Sequence, residues 1–256
     1  MFRCSIAVAL VLFGGWSASS SLADGASQDE DWKKLTARIE HAVLNDDVAT
    51  LKLCRAEALR VQTAPGGHSR ALVAYAVAYV GWRLAFNPSV PQAEQDALLN
   101  EAETQLNAAL KIDPKSAEAF ALLSGVYGAK IAHSPMRGIL LGPRSSGAIE
   151  NAVTLAPDNP RVLLSKGIGK FNTPAMFGGS DTEAESLIRR ALGAFETEPI
   201  DKAWPNWGRF DAHAWLGQIL GKRGDKKGAR AEYERALTIA PKSGWVQYVL
   251  LPALQK

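Results

Sequence analysis

Sulfur and imidazole are scarce in this chain: 256 residues contain two cysteines, three methionines and four histidines. Cys4 lies ahead of the apolar run Ile6–Phe13 rather than after it, so lipid attachment at a mature amino-terminal cysteine is not expected. Once residues 1–23 are set aside, Cys54 is the sole thiol and no intramolecular disulfide can form. Stability must then come from a core of adequate size. Cys54 falls in an expected helix over 48–61 with no histidine or lysine at an activating spacing, and it reads as a small buried apolar residue. His41, His68, His133 and His213 are scattered without metal-ligand spacing, so neither metal nor cofactor is expected. There is no His-Glu-x-x-His helix, no Gly-x-Ser-x-Gly elbow, no phosphate loop and no Cys-x-x-Cys-His haem site. Acidic pairs such as Glu183 and Glu185 read as solvated helix faces. These absences argue against an enzyme.

One-sided charge is lacking as well. The net charge is +3, or +2 without Arg3, and both signs alternate along the expected helices. That disfavours nucleic acid, which needs a dense basic stripe, and a polybasic membrane anchor. Long hydrophobic runs are also missing: the run Ile6–Phe13 is far short of the ~20 residues of a membrane-spanning helix. Preceded by Met1-Phe2-Arg3 and followed by Ser21-Leu22-Ala23, it has the tripartite form of a secretory leader, with cleavage expected after Ala23. The expected location is therefore exported, periplasmic or secreted, with no integral membrane segment in the mature chain.

What the chain does have is internal repetition, clearest between Phe210 and Pro241. Leu216-Gly217 and Leu220 fall on one helix, Gly224-Asp225 supply a turn, and Ala229, Tyr233 and Ala236 fall on a second helix before Pro241. Small residues stand where two helices approach closely, large ones where the next hairpin leaves space, and proline stops the second helix. Earlier segments repeat the spacing: Ala184, Ile188 and Ala191 with Pro199; Ser145, Ile149 and Ala152 with Pro157; Ala102, Leu106 and Ala109 with Pro114. Their first helices are expected at about 161–171 (with Gly167 at the small position), around Phe120, Leu123 and Tyr127, and over 71–86. The endings Lys111-Ile112-Asp113-Pro114, Thr154-Leu155-Ala156-Pro157 and Thr238-Ile239-Ala240-Pro241 also resemble one another.

This pattern resembles the tetratricopeptide repeat, with its period of about 34 residues and its W-x2-L-G-x2-Y…A-x3-F…P signature. His213 stands where that signature has tryptophan, and Trp215 lies on the wrong face to substitute. The resemblance covers roughly 69–241. It implies an all-α solenoid of about five antiparallel hairpins in a right-handed superhelix. An amino-terminal hairpin (24–68, with helices at 32–41 and 48–61) would precede the repeats, and a capping helix (242–256) ending at Pro252 would follow. It also implies a concave binding face lined by the first helix of each hairpin. On that face the resemblance places Arg161, Leu164, Ile168, Asp211, Ala214 and Gln218 as exposed positions, with Glu118 and Ala121 in the repeat before, and Trp82 and Arg83 beside them.

Insertions stretch three repeats: 87–92, 131–143 and 172–179. In the second, Lys130, His133, Arg137 and Arg144 are placed to receive an acidic segment of a partner, or to bond nearby helix ends. The third, Asn-Thr-Pro-Ala-Met-Phe-Gly-Gly, looks like a segment of exported bacterial tetratricopeptide proteins of undefined activity. It reads as an elbow, with Phe177 tucked into the hairpin, or as a ligand-contacting loop. Trp204 and Trp207, in the connection 200–208, read as cover for the inter-repeat core or as interface anchors. The function expected is an exported scaffold that binds a protein or peptide in its concave groove. A small-ligand-binding or chaperone-like accessory subunit of a transport system is the alternative. Partner identity and oligomeric state are not encoded in any of these features.

Overall fold

The computed structural model describes residues 18–63, 69–199 and 204–255. Most of the expected leader, and His68, lie outside the described residues. Helix formation is local and easily traced. Helices α1 (Ala18–Leu44) and α2 (Val48–Thr63) form the first hairpin, α3 (Arg70–Ala85) and α4 (Gln92–Ile112) the second, and α5 (Ala117–His133) and α6 (Gly138–Leu155) the third. Helices α7 (Pro160–Asn172) and α8 (Asp181–Glu196), then α9 (Arg209–Lys222) and α10 (Lys226–Ile239), complete the series. No strand occurs among the described residues.

Helix starts follow side-chain caps. Ser116, Asn159, Ser180 and Asp225 each accept a hydrogen bond from a backbone N–H of the following turn. Helix ends follow proline. Asp113, Ala156 and Ala240 each precede a proline, which forces them out of the helical region (φ −124°, −151° and −126°). Each still donates its N–H to the carbonyl four residues back, at 2.8–2.9 Å. The three similar endings of the sequence are thus three copies of one physical device.

Pairing within hairpins depends on the small positions. Ala184, Ala191, Ala229 and Ala236 are fully buried, and Leu216 and Tyr233 fill the adjoining spaces. A Cβ on Gly217 would lie 2.3 Å from Tyr233 Cε1, and one on Gly167 would lie 2.6 Å from Ile188 Cγ1. Those distances leave room for nothing larger than hydrogen. Cys54 is buried, and burial pushes its thiol pKa up, as expected of an inert core cysteine.

Three boundaries differ from expectation. Helix α1 extends beyond 32–41 at both ends and stops where Asp46 turns left-handed (φ 54°). The insertion expected over 131–143 is a single 3-10 turn, Pro135–Arg137, after which α6 begins and contains Pro143. Pro143 lacks the N–H that would bond the carbonyl of Ile139, a residue that is 86% exposed. The cap winds as a π-helix over Trp245–Leu250 and passes through Pro252 into α11 (Leu251–Ala253), because proline in a first turn removes no needed donor.

The cap does more than cover the last hairpin. Val246 and Leu250 are buried, and Trp245 lies edge-on to Trp215 of α9 with ring centroids 5.8 Å apart. The Gly244 N–H reaches the Asp46 carboxylate at 2.9 Å, so the carboxy-terminal element meets the turn of the first hairpin. Gly217→Ala is expected to destabilise the chain by about 1–3 kcal/mol through overpacking against Tyr233, measured by urea denaturation.

Candidate functional site

The first helices of the hairpins present aromatic and charged residues inward, but that inner face is not open. The connection between α8 and α9 returns across it. Trp204 packs edge-on against Trp32 of α1 and Tyr75 and Tyr79 of α3, with centroids 6.1, 5.2 and 5.9 Å apart. Its indole N–H donates to Glu40 at 3.0 Å. Trp207 stacks on Tyr79 at 5.1 Å and donates its N–H to the Tyr75 hydroxyl at 3.0 Å. Gly208 has φ 117°, and a Cβ there would strike Phe195 at 2.6 Å, so the chain passes closely under α8.

Buried charge pins the same region. Arg161 of α7 has no exposed surface; both terminal nitrogens bond Glu198 at 2.8 Å, Glu118 lies 3.5 Å away, and the Phe195 ring sits 5.5 Å from the guanidinium carbon. Arg83 of α3 bonds Asp211 of α9 at 2.7 Å. Burial alone would lower the Arg83 pKa, but the Asp211 carboxylate outweighs it and holds the guanidinium charged. Loss of solvation has the opposite result at Glu40, whose pKa is pushed up to about 7 despite the bond from Trp204. A cavity of about 70 Å³ lies beside it, bounded by Glu40, Tyr79, Trp207 and Asp211.

Several expected positions are thereby corrected. Arg161, Leu164, Asp211, Ala214 and Ala121 are buried rather than exposed, and Trp82, Arg83, Glu118, Ile168 and Gln218 are only partly exposed. Arg161, Glu118, Arg83 and Asp211 serve ion pairs within the chain. Trp204 and Trp207 take the core-covering role and not that of exposed anchors. Phe177 does not tuck in; it is 72% exposed. The backbone of 172–179 nonetheless forms an elbow, since Ser180 N–H bonds Lys170 O at 2.9 Å and a Cβ on Gly179 would meet Thr173 O at 1.7 Å.

Two other surfaces stay open. One is a cleft of about 560 Å³ between α8, α9 and α10, lined by Arg189, Leu192, Gly193, Glu196, His213, Leu216, Glu232 and Arg235. At its floor His213 Nδ1 lies 2.7 Å from Glu232, which also pairs with Arg235. Burial acts to raise the Glu232 pKa, but the bond with His213 and the nearby Arg235 charge outweigh it and hold the carboxyl below its ordinary value. The second surface is an edge of the array. Because successive helices alternate direction, every hairpin points the same way and the α3–α4, α5–α6 and α7–α8 turns fall on one side. There Met136, Ile139, Leu140, Met176 and Phe177 are 63–86% exposed. His133 is not free for a partner, since its Nδ1 lies 3.0 Å from Asp96, and Lys130 is buried against Glu103. Arg137 and Arg144 are exposed and make no ion pair among the described residues. No group of three or more metal-ligating side chains occurs among the described residues.

The sequence reading missed Glu40, Tyr75, Tyr79 and Glu198, whose partners are distant in the chain. It also missed Met136, Ile139 and Leu140. Their signal was present: they sit off the helical face set by Leu141, Ala148 and Ala152.

Residues 210–243 match the family model of the tetratricopeptide repeat. Among solved structures, the chain is similar to the HusA haemophore from Porphyromonas gingivalis, at 26% identity over 71% of this chain and 93% of that one, with a TM-score of 0.59. It is similar in fold to TTC0263, a thermophilic tetratricopeptide protein of Thermus thermophilus, at 17% identity over 87% of this chain and 100% of that one, with a TM-score of 0.60. No curated protein matches the chain by sequence.

Arg161→Ala is expected to cost about 3–5 kcal/mol, because it removes the buried charge that faces Glu198 and Glu118; chemical denaturation reads this directly. A pH dependence follows from Glu40. Its folded pKa lies above its ordinary value of 4.5, so stability is full below that value, falls as pH rises towards about 7, and then levels. Glu40→Gln should remove this fall and make the chain about 2–3 kcal/mol more stable than the parent at about pH 8, with little change at about pH 4, as read by urea midpoints.

Proposed function

We propose that this chain, a tetratricopeptide-repeat solenoid, is a scaffold that binds another protein, and that it seats a peptide segment in the cleft between α8, α9 and α10. The observation that carries this reading is the shape and lining of that cleft. The inner face, where such arrays commonly bind, is taken up by Trp204 and Trp207 of the same chain. The cleft combines a partly exposed aliphatic side chain, Leu192, above the buried Leu216, with walls bearing both signs of charge, Arg189, Arg235 and Glu196. A peptide offers the matching set: an aliphatic side chain, backbone donors and acceptors, and charges of both signs. His213, in place of a bulkier indole, widens the floor. A histidine–carboxylate pair at the base of an open cleft is also an arrangement met more often at functional surfaces than on inert ones. We take the role to be binding rather than catalysis, and on the leader-like start of the sequence we place the partner among exported proteins.

A second reading, binding of a small ligand, is favoured by the likeness to a haemophore. The inner cavity of about 70 Å³ is too small for a tetrapyrrole, so such a ligand would compete for the cleft.

Gly193 has open space beside it, so Gly193→Leu projects bulk into the cleft without disturbing the helix, and Arg235→Glu reverses one wall. Both variants should reduce cross-linked partner recovery from the exporting cell at least about tenfold, with circular dichroism unchanged. Undiminished recovery in both would remove the cleft from consideration. Haem titration separates the second reading: a perturbed Soret band that Gly193→Leu abolishes supports it, and a spectrum equal to free haem ends it.

A further inference from the structure

We propose that the edge formed by the α5–α6 and α7–α8 turns docks on an anionic lipid surface by inserting its apolar tips; this rests on observations separate from the peptide cleft. The first observation is exposure. Met136 is 82%, Ile139 86%, Leu140 63%, Met176 83% and Phe177 72% exposed, and all five stand on two 3-10 turns or the helical turn that follows one of them. These are convex projections, not the walls of a groove. A protein partner would need a ready-made pocket for each tip, whereas the acyl boundary of a bilayer deforms around them.

The second observation is charge. No acidic residue occurs between Glu118 and Glu150, or between Asp158 and Asp181. The carboxylates near this edge have partners within the chain: Asp181 pairs with Lys222, Glu183 with Lys170, and Glu185 with Arg189 and Arg223, while Asp96 lies against the His133 ring. Arg137 and Arg144 are exposed, make no ion pair among the described residues, and flank Ile139 and Leu140 in the sequence. Apolar tips flanked by free guanidinium groups match an interface with hydrocarbon beneath anionic headgroups. No helix among the described residues is long and apolar enough to span a membrane, so the contact is peripheral.

Vesicle flotation of the full chain tests this. The chain should float with vesicles containing phosphatidylglycerol and at least about tenfold less with phosphatidylcholine alone. The triple change Met136→Ser, Ile139→Ser, Leu140→Ser should lower flotation at least about tenfold, and so, independently, should Met176→Ser with Phe177→Ser. Arg137→Gln and Arg144→Gln should each lower it about fivefold. Because all these side chains are exposed, circular dichroism should not change, and the two separate turns keep the test valid if one variant fails to fold. Absence of flotation, equal flotation on both lipids, or undiminished flotation of the apolar variants overturns the proposal. So does loss of a protein cross-link in those variants without any flotation of the parent, which would make the edge a protein-docking face.

Discussion

A guanidinium as deeply buried as that of Arg161 is tenable only with carboxylates held against it, and much of the molecule follows from that requirement. Glu198 supplies two of its bonds and lies just past the end of α8, so the pair fixes where the following connection starts. Further along the chain, Trp204 and Trp207 lie over α1 and α3. Arg83 and Asp211 repeat the arrangement further on, joining α3 to α9. Buried charge and buried indoles thus act together to cover the face lined by the first helices.

The repeats were legible because their rules are local. Alanine or glycine at a close approach, a large residue beside it, and a residue made extended by the next proline can be recognised within one hairpin. The all-α array of paired helices needed little else. The state of the inner face was not legible, because the partners that decide it are far apart: Glu40 with Trp204, Tyr75 with Trp207, Arg83 with Asp211. Charged residues at first-helix positions read as a solvated binding surface, and nothing near Arg161 in sequence signals that Glu198 neutralises it. Pro143 misled for a related reason. A proline normally marks an interruption, but here the residue whose carbonyl loses its donor is the exposed Ile139, and the helix runs through.

Shape separates the two open surfaces more clearly than composition does. Both mix apolar and charged side chains. In the cleft these converge on a floor where His213 and Glu232 are already paired, an arrangement suited to an extended, chemically varied guest. On the edge they diverge from two turns, with cations that have no carboxylate to answer them. As proposed, a peptide guest and a lipid surface would occupy different faces and need not compete.

The contact between Gly244 and Asp46 bears on how this array holds together in time. An open solenoid is a one-dimensional stack in which each repeat touches only its neighbours, so its ends fray first. Here the last element is tied to the first turn, and the α8–α9 connection ties the third and fourth repeats to the first two hairpins. Neither end can then peel away at the cost of a single interface. Loosening should propagate to the whole chain, so the stack behaves less like a row of separable units and more like one cooperative domain.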